Sequence, residues 1–406
     1  MYNALHPSAI LLPRNDVDLT KWAVIACDQF TSQPEYWKKV EALVQGEPSS
    51  LHLILPEVYL SQTEDRLISI RECMGSYLSK DILQESVHGA VLLERNTVSG
   101  TRLGLVVALD LEAYSFDGNS AALIRPTEQT VPERVPPRTK IRFGAPIEIP
   151  HVMMLIDDPK QTVIEPIYSM RNELRSLYDF ELMLNGGHLR GWAVESDAFR
   201  KIDTALSKLA ESCDGMLYAV GDGNHSLAAA KECWNKLKPT LPPDETIDHP
   251  ARFALVELVN IHCPALNFEP IHRIIRHASQ KELVSDFEES MRKAGIPKQG
   301  GNDVVLFSEG ASSGYAFTQY PLSFLQSFLD DWLEKHRSSS IDYIHDESAL
   351  TEIVSNDPCA VGIKVRAFEK RELFPSIREH GRLPRKAFSM GAAVEKRYYM
   401  EAKRIL

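Results

Sequence analysis

The sequence predicts a mixed α/β or α+β protein, and three observations carry that expectation. Short apolar runs such as "KWAVIACDQF", "HVMMLID" and "RFALVELVNIH" recur along the chain and read as strands. Amphipathic segments with apolar residues at helical spacing lie between them. One pair of runs is joined by a Ser-Gly turn signal, which argues for antiparallel pairing. Such alternation disfavours an all-helical bundle.

The elements follow in order. "KWAVIACDQF" reads as a short buried strand ending at Asp28, and "SQPEYWKKVEALV" as a helix with Ser32 as cap and Pro34 in the first turn. "LHLILPEVYL" is strand-like, and residues 60–84 carry a second helical pattern. "GAVLLERNTVSGTRLGLVVALDLEAYSF" is the antiparallel hairpin. The prolines of "AALIRPTEQTVPERVPPRTKIRFGAPIEIP" argue for an irregular segment. Residues 151–157 resume a strand, and helices are expected over 168–185 and 196–212. "GMLYAV" is a core strand, followed after a polar knot by a helix and then by a strand at "RFALVELVNIH". The tail has strands near 303–308 and 315–319, a helix over 321–336, a run at "CAVGIKVRAF", and a closing edge strand at "KRYYMEAKRI".

At 406 residues the chain exceeds the usual size of one domain. Two regions are expected: an N-terminal mixed α/β region over 1–260, and a C-terminal α/β region over 261–406 packed closely against it. Hydrophobic residues make up 44% and charged residues 25%, enough for a sizeable core. The formal charge of -11 gives no general attraction for nucleic acid or anionic lipid, so neither is expected as a partner. The six cysteines are scattered without a Cys-x-x-Cys pair, which fits free thiols in a reducing compartment. No run has the length and apolarity of a membrane helix and the N-terminus lacks the pattern of a secretory signal, so a cytoplasmic location is expected.

The polar knot is "YAVGDGNHSLAAAKECW". Leu227, Ala230, Trp234 and Leu237 recur at helical spacing, which places residues 221–224 in a strand-to-helix turn and His225 and Ser226 at the helix entrance. Such an entrance exposes unpaired backbone N–H groups and the positive end of the helix dipole, so it can receive a phosphate or carboxylate. Gly221 and Gly223 permit tight turning and close ligand approach. Asp222 or Asn224 could instead cap the helix internally, which leaves a purely structural turn as the alternative. Neither Gly-x-Gly-x-x-Gly nor Gly-Lys-Ser/Thr is present, so ordinary dinucleotide binding and a P-loop are not indicated. No Gly-x-Ser-x-Gly elbow accompanies Ser226, which disfavours a serine hydrolase.

"VGDGNHSLAAAK" resembles the characteristic loop of domain-of-unknown-function family 1015. "KWAVIACDQFTSQPEYW", "IRPTEQTVPERVPPR", "DDPKQTVIEPI", "LVELVNIHCPALNFEPIHR" and "LPRKAFSM" are similar to further segments of that family. More distantly, the Asp-Gly-x-His loop resembles that of the ParB/sulfiredoxin-like superfamily. Asp222, Gly223 and His225 match, whereas Asn224 and Ser226 depart and the arginine usual there is absent. The resemblance implies a large elaborated ParB/sulfiredoxin-like core with additional C-terminal α/β elements, and relatives that include nucleotide-binding proteins and small-molecule kinases.

Within that resemblance the leading expectation is a nucleotide-dependent phosphotransferase acting on a small polar metabolite, with ATP or ADP and magnesium. Asp28, Asp222 and His225 are the expected catalytic residues. Gly221, Gly223, Asn224, Ser226, Arg125 and Arg134 would hold the nucleotide, because arginine offers a rigid multidonor partner for phosphate. Glu133, His272 and Arg273 would position the substrate, and Arg138 lies in the same Pro-rich segment as a further candidate. His262, His188, His6 and His151 carry less weight, and no zinc, haem or iron–sulfur cluster is expected. A non-catalytic nucleotide or anion sensor and a phosphate-ester hydrolase are the competing functions, each with a small anionic or phosphorylated ligand.

Overall fold

The structure is a computed structural model and describes residues 2–117, 121–129 and 135–406. The chain is mixed α/β, with eleven α-helices among the described residues. It divides into two compact units, Met1–Asn267 with Gly391–Leu406, and Phe268–Met390. The last residues of the chain therefore belong to the first unit.

A ten-stranded mixed sheet organises the first unit. Its main path runs Ile124–Pro126, Tyr218–Asp222, Met153–Ile156, Phe253–Asn260, Gly100–Asp110, Leu83–Thr97, Gly187–Glu195, Ser176–Leu182. Two neighbours are parallel, Tyr218–Asp222 with Ile124–Pro126 and Phe253–Asn260 with Met153–Ile156, and the other neighbours on the path are antiparallel. The hairpin predicted around the Ser-Gly turn is present, with Val91 opposite Val106. Residues 90–95 and 105–110 are buried without alternation, because both faces of the sheet are covered here.

Several expectations change. "LHLILPEVYL" forms 3₁₀ turns at Ser50–Leu53 and Glu57–Gln62, since Pro56 interrupts the run. The Pro-rich segment holds the strand Ile124–Pro126 and the helix Val135–Arg142; Pro136 and Pro137 sit in the first turn, where their missing N–H groups cost nothing. Residues 168–185 hold the end of the helix Ile164–Ser169 and the strand Ser176–Leu182, with Tyr178, Phe180 and Leu182 alternating with Asp179 and Glu181. The helix at Pro34–Leu43 starts after Gln33 without a side-chain cap, so Ser32 does not cap it. The strand expected at 315–319 lies at Ala311–Tyr315. The "KRYYMEAKRI" segment forms two short strands, Tyr398–Tyr399 against Val24–Ile25 and Lys403–Arg404 against Ile147–Glu148, in which Tyr398, Tyr399 and Lys403 are buried and Arg404 is exposed.

That terminal segment is held by charge. Arg95 and Arg102 face each other across the central hairpin, both buried. Arg95 donates to the carbonyls of Val394 at 2.7 Å, Glu395 at 3.0 Å and Lys396 at 2.5 Å, and Arg102 to that of Glu395 at 2.9 Å. Arg397 pairs with Glu257 at 2.7 Å and Glu401 at 2.6 Å. Buried charges are tolerated when paired and hydrogen-bonded in this way. The arrangement fixes residues 394–401 against the sheet.

The second unit has a five-stranded antiparallel sheet, in the order Ala311–Tyr315, Val304–Ser308, Ala360–Val365, His272–Arg276, Ser340–Ile344. Helices Gln280–Lys293 and Leu322–Lys335 bury Phe287, Leu325 and Leu329 in this unit. Among the described residues, no helix is long and apolar enough to cross a membrane. All six cysteines are free.

Candidate functional site at the strand-to-helix loop

The strand Tyr218–Asp222 buries Tyr218, Ala219 and Val220, and its register against Met153–Met154 breaks between Val220 and Asp222. The chain then turns through Gly223 at φ 77°, ψ 24°. A Cβ there would stand 2.9 Å from the Val152 Cα, so both the left-handed backbone and the space demand glycine. Asp222 Oδ1 accepts from the Gly223 N–H at 2.9 Å. The helix Asn224–Leu237 follows and buries Leu227, Ala228, Ala229, Ala230, Cys233 and Trp234.

The entrance to this helix is not sealed: Gly221, Asp222, Asn224, His225 and Ser226 are half-buried. The Ser226 and Leu227 N–H groups both donate to the Gly223 carbonyl at 3.0 Å. The Asn224 N–H has no hydrogen-bond partner among the described residues, and Asn224 Oδ1 is buried without one. An open amide at the head of a helix is a place for an anion.

A buried histidine lies under the loop. His151 Nε2 is 3.3 Å from Ser226 Oγ, and its Nδ1 is 2.8 Å from the Tyr399 hydroxyl. The Tyr399 oxygen accepts from the Cys27 N–H at 3.2 Å. Burial raises the Tyr399 pKa well above its ordinary value, so the phenol keeps its proton. The Cys27 sulfur and His151 Nδ1 are both acceptors for that proton; donated to Nδ1, it leaves the Nε2–H directed at Ser226. Burial pushes His151 below its ordinary value against the opposing effect of Asp28, so the ring is neutral near pH 7. In this tautomer His151 cannot accept the Ser226 proton.

Charged groups from distant segments converge on His151. Asp28, Arg138, Asp222 and Glu57 all act on its charge. Burial works against the Asp28 carboxylate, but His151, a hydrogen bond from Gln29 and the cations Arg138 and Lys396 outweigh it and hold it below the usual carboxylate range. Asp222 Oδ2 is 3.3 Å from Lys396 Nζ. Arg138 Nη2 is 2.5 Å from Glu57 Oε1, with both side chains largely buried. Cys27, Glu57, Arg138, His151, Ser226 and Tyr399 line one cavity of about 120 Å³.

The structure thus gathers Asp28, Gly221, Asp222, Gly223, Asn224, His225 and Ser226 into one region. Arg125 is elsewhere: its Nε donates to the Ala122 carbonyl at 2.9 Å and its Nη2 to that of Gly215 at 3.4 Å, before the strand that leads to the loop. His272 and Arg273 lie in the second unit. His272 Nδ1 accepts from the Val365 N–H at 3.2 Å, and the fully buried Arg273 donates to the Lys386 carbonyl at 2.9 Å. Glu133 and Arg134 fall outside the described residues.

Sequence reasoning missed Glu57, Lys396 and Tyr399 and undervalued His151. The position of His151 at the mouth of an apolar strand, mirroring Asp28 at the end of another apolar run, was the available signal. Lys396 and Tyr399 carried none, because their segment returns to the first unit from the far end of the chain.

Fold and site together define a mixed α/β protein with a glycine-hinged strand-to-helix loop beside a buried cluster of charge. The family model described as "Protein of unknown function (DUF1015)" matches residues 8–355, and the chain belongs to that family. No curated protein matches it. Similar solved structures include free serine kinase in complex with AMP, 10% identical over 73% of this chain and 90% of that one, with a TM-score of 0.39. A conserved hypothetical protein from Pyrococcus furiosus is 8% identical over 70% of this chain and 90% of that one, at 0.36. SbnI with a C-terminal truncation, from Staphylococcus aureus, is 9% identical over 71% and 83%, also at 0.36.

Proposed function

We propose that this protein is a nucleotide-dependent phosphotransferase working at the head of the helix Asn224–Leu237. The observation that carries the reading is the convergence of two carboxylates, Asp28 and Asp222, with two cations, Arg138 and Lys396, around the buried His151. Phosphoryl transfer asks a protein mainly for alignment and charge stabilisation, and this set offers both. Arg138, Lys396 and the open Asn224 N–H would counter phosphate charge. The oxygens of Asp28 and Asp222 are the donor type that magnesium takes, and the ion would neutralise charge on the phosphates. Asp28, its carboxylate kept ionised beside Arg138 and Lys396, would orient the acceptor hydroxyl. The donor would be ATP or ADP: the bond from phosphorus to the acceptor oxygen forms as the bond to the nucleotide oxygen breaks, and the hydroxyl proton leaves to Asp222 or water.

The test incubates the protein with magnesium, terminally labelled ATP or ADP and a pool of hydroxylated metabolites. Label is expected in a metabolite, and Asp28→Asn and Asp222→Asn are each expected to lower its appearance by about 100-fold with far-UV dichroism unchanged. Absence of both transfer and nucleotide binding at millimolar concentration would overturn the reading. Transfer at the original rate in the two variants would remove these carboxylates from it.

A further inference from the structure

The second unit holds a cluster that the function proposed above does not use. The helix Gln280–Lys293 buries Leu283 and Phe287 and carries Glu282, exposed, and Asp286, half-buried, one turn apart. The helix Leu322–Lys335 ends on His336. Phe287 meets Phe324 and Phe328 of that helix with ring centroids 5.7 and 5.2 Å apart, which packs the two helices against each other. One side-chain atom from each of Glu282, Asp286 and His336 lies within 4.8 Å of the other two. The cluster has no signature in the sequence, because 54 residues separate Glu282 from His336.

Trp332, outside the cluster, fixes two of its members. His336 Nδ1 is 2.8 Å from the Trp332 carbonyl, which can only accept, so Nδ1 carries the proton of the neutral ring and Nε2 holds a lone pair. The His336 ring stacks on the Trp332 indole at 3.8 Å between centroids. The indole Nε1–H donates to Asp286 Oδ2 at 3.0 Å. An imidazole tied to a carbonyl and a carboxylate tied to a donor have the outer support that metal ligands have.

His336 Nε2 faces Glu282 Oε1 at 3.3 Å. With the ring neutral both atoms are acceptors, and their approach calls for a cation. A proton would draw them to the about 2.7–2.9 Å of a charge-assisted hydrogen bond. The observed separation matches the edge of a zinc tetrahedron, in which two ligands at bonds of about 2.0–2.1 Å stand about 3.3 Å apart. Glu282 and Asp286 bring two negative charges, and no lysine or arginine among the described residues pairs with either.

We propose that Glu282, Asp286 and His336 bind a zinc ion, His336 through Nε2 and each acid through a carboxylate oxygen, with water completing the coordination. The imidazole is what selects zinc over magnesium and calcium, which take oxygen ligands. The site lies within the second unit and needs neither nucleotide nor phosphoryl transfer, so it stands or falls apart from the function proposed above.

The test is calorimetric titration of the full chain, freed of metal by chelation, with zinc chloride, beside the variants Glu282→Gln and His336→Gln. Zinc binding at thiols or elsewhere is common to all three proteins and cancels in the comparison. One zinc-binding step of the unmodified chain is expected to weaken by at least about tenfold in each variant, since loss of even an outer-shell partner has that effect. Magnesium chloride in excess is expected to leave that step unchanged. No zinc binding, equal zinc binding in the unmodified chain and Glu282→Gln, or displacement of the zinc by magnesium would each overturn the proposal. The Glu282 side chain is 55% exposed, so its substitution leaves the fold intact and decides the matter even if His336→Gln fails to fold.

Discussion

Replacing Gly223 with alanine tests how the candidate site is built. Two separate costs apply. The left-handed backbone at φ 77° costs an L-residue about 1–2 kcal/mol. The new Cβ would stand 2.9 Å from Val152 Cα and 3.2 Å from Val152 Cγ2, and relieving contact with a backbone atom costs about 1–3 kcal/mol more. The sum is about 2–5 kcal/mol, a large share of the ~5–15 kcal/mol that holds a typical protein folded. Gly46 supplies the control: its φ is +80°, and a Cβ there meets nothing within 4 Å. Gly46→Ala therefore carries the dihedral cost alone. Urea denaturation followed by tryptophan fluorescence should show Gly223→Ala destabilised beyond Gly46→Ala by about 1–3 kcal/mol. Equal destabilisation of the two variants would refute the claim that the loop is wedged against Val152, the residue before the strand Met153–Ile156.

Two further outcomes follow from buried titratable groups. The Lys403 amine is pushed down to about 7 by burial, with repulsion from Arg142 adding to the effect. Above pH 7 the unfolded chain holds this proton more tightly than the folded one. The penalty is therefore complete below pH 7 and is relieved as pH rises toward the ordinary lysine value, so stability should climb in that window. The slope from this group is at most about 1.4 kcal/mol per pH unit. Urea midpoints at pH 7 and pH 9 should show that Lys403→Met lacks this rise, and an identical rise in both proteins would contradict the account. For His151, nitrogen NMR should report a neutral Nε2–H tautomer at pH 7, and Tyr399→Phe should disturb it by removing the proton offered to Nδ1; an Nδ1–H ring in the unmodified protein would be incompatible with the assigned network.

Legibility in the sequence followed the range of the forces involved. The hairpin around Ser99-Gly100 and the turn from Val220 into the helix at Asn224 were readable, because backbone torsion and side-chain periodicity act over a few residues. The strand Ser176–Leu182 was misread as helix, its Tyr178-Phe180-Leu182 alternation being embedded in a longer amphipathic stretch. The helix Val135–Arg142 was hidden by Pro136 and Pro137, which break a helix interior but suit its first turn. Within the site, Asp28 and the Gly221–Ser226 loop were legible as a strand-end acid and a polar knot. Arg125, His272 and Arg273 looked equally apt as polar residues beside apolar runs, and in the structure each makes hydrogen bonds to main chain.

By itself the sequence determined the local geometry of this protein: the glycine hinge, the apolar faces of its helices, and the pairing of its central hairpin. Which side chains meet was decided by the tertiary structure alone. Glu57, His151 and the pair Lys396 and Tyr399 reach the loop from three separate segments, and Arg95 binds the carbonyls of Val394, Glu395 and Lys396 from a strand far away in the chain. The reason is physical. A charge or a hydrogen bond acts through space at the dielectric its surroundings provide, and both the distance and the burial exist only once the sheet has assembled.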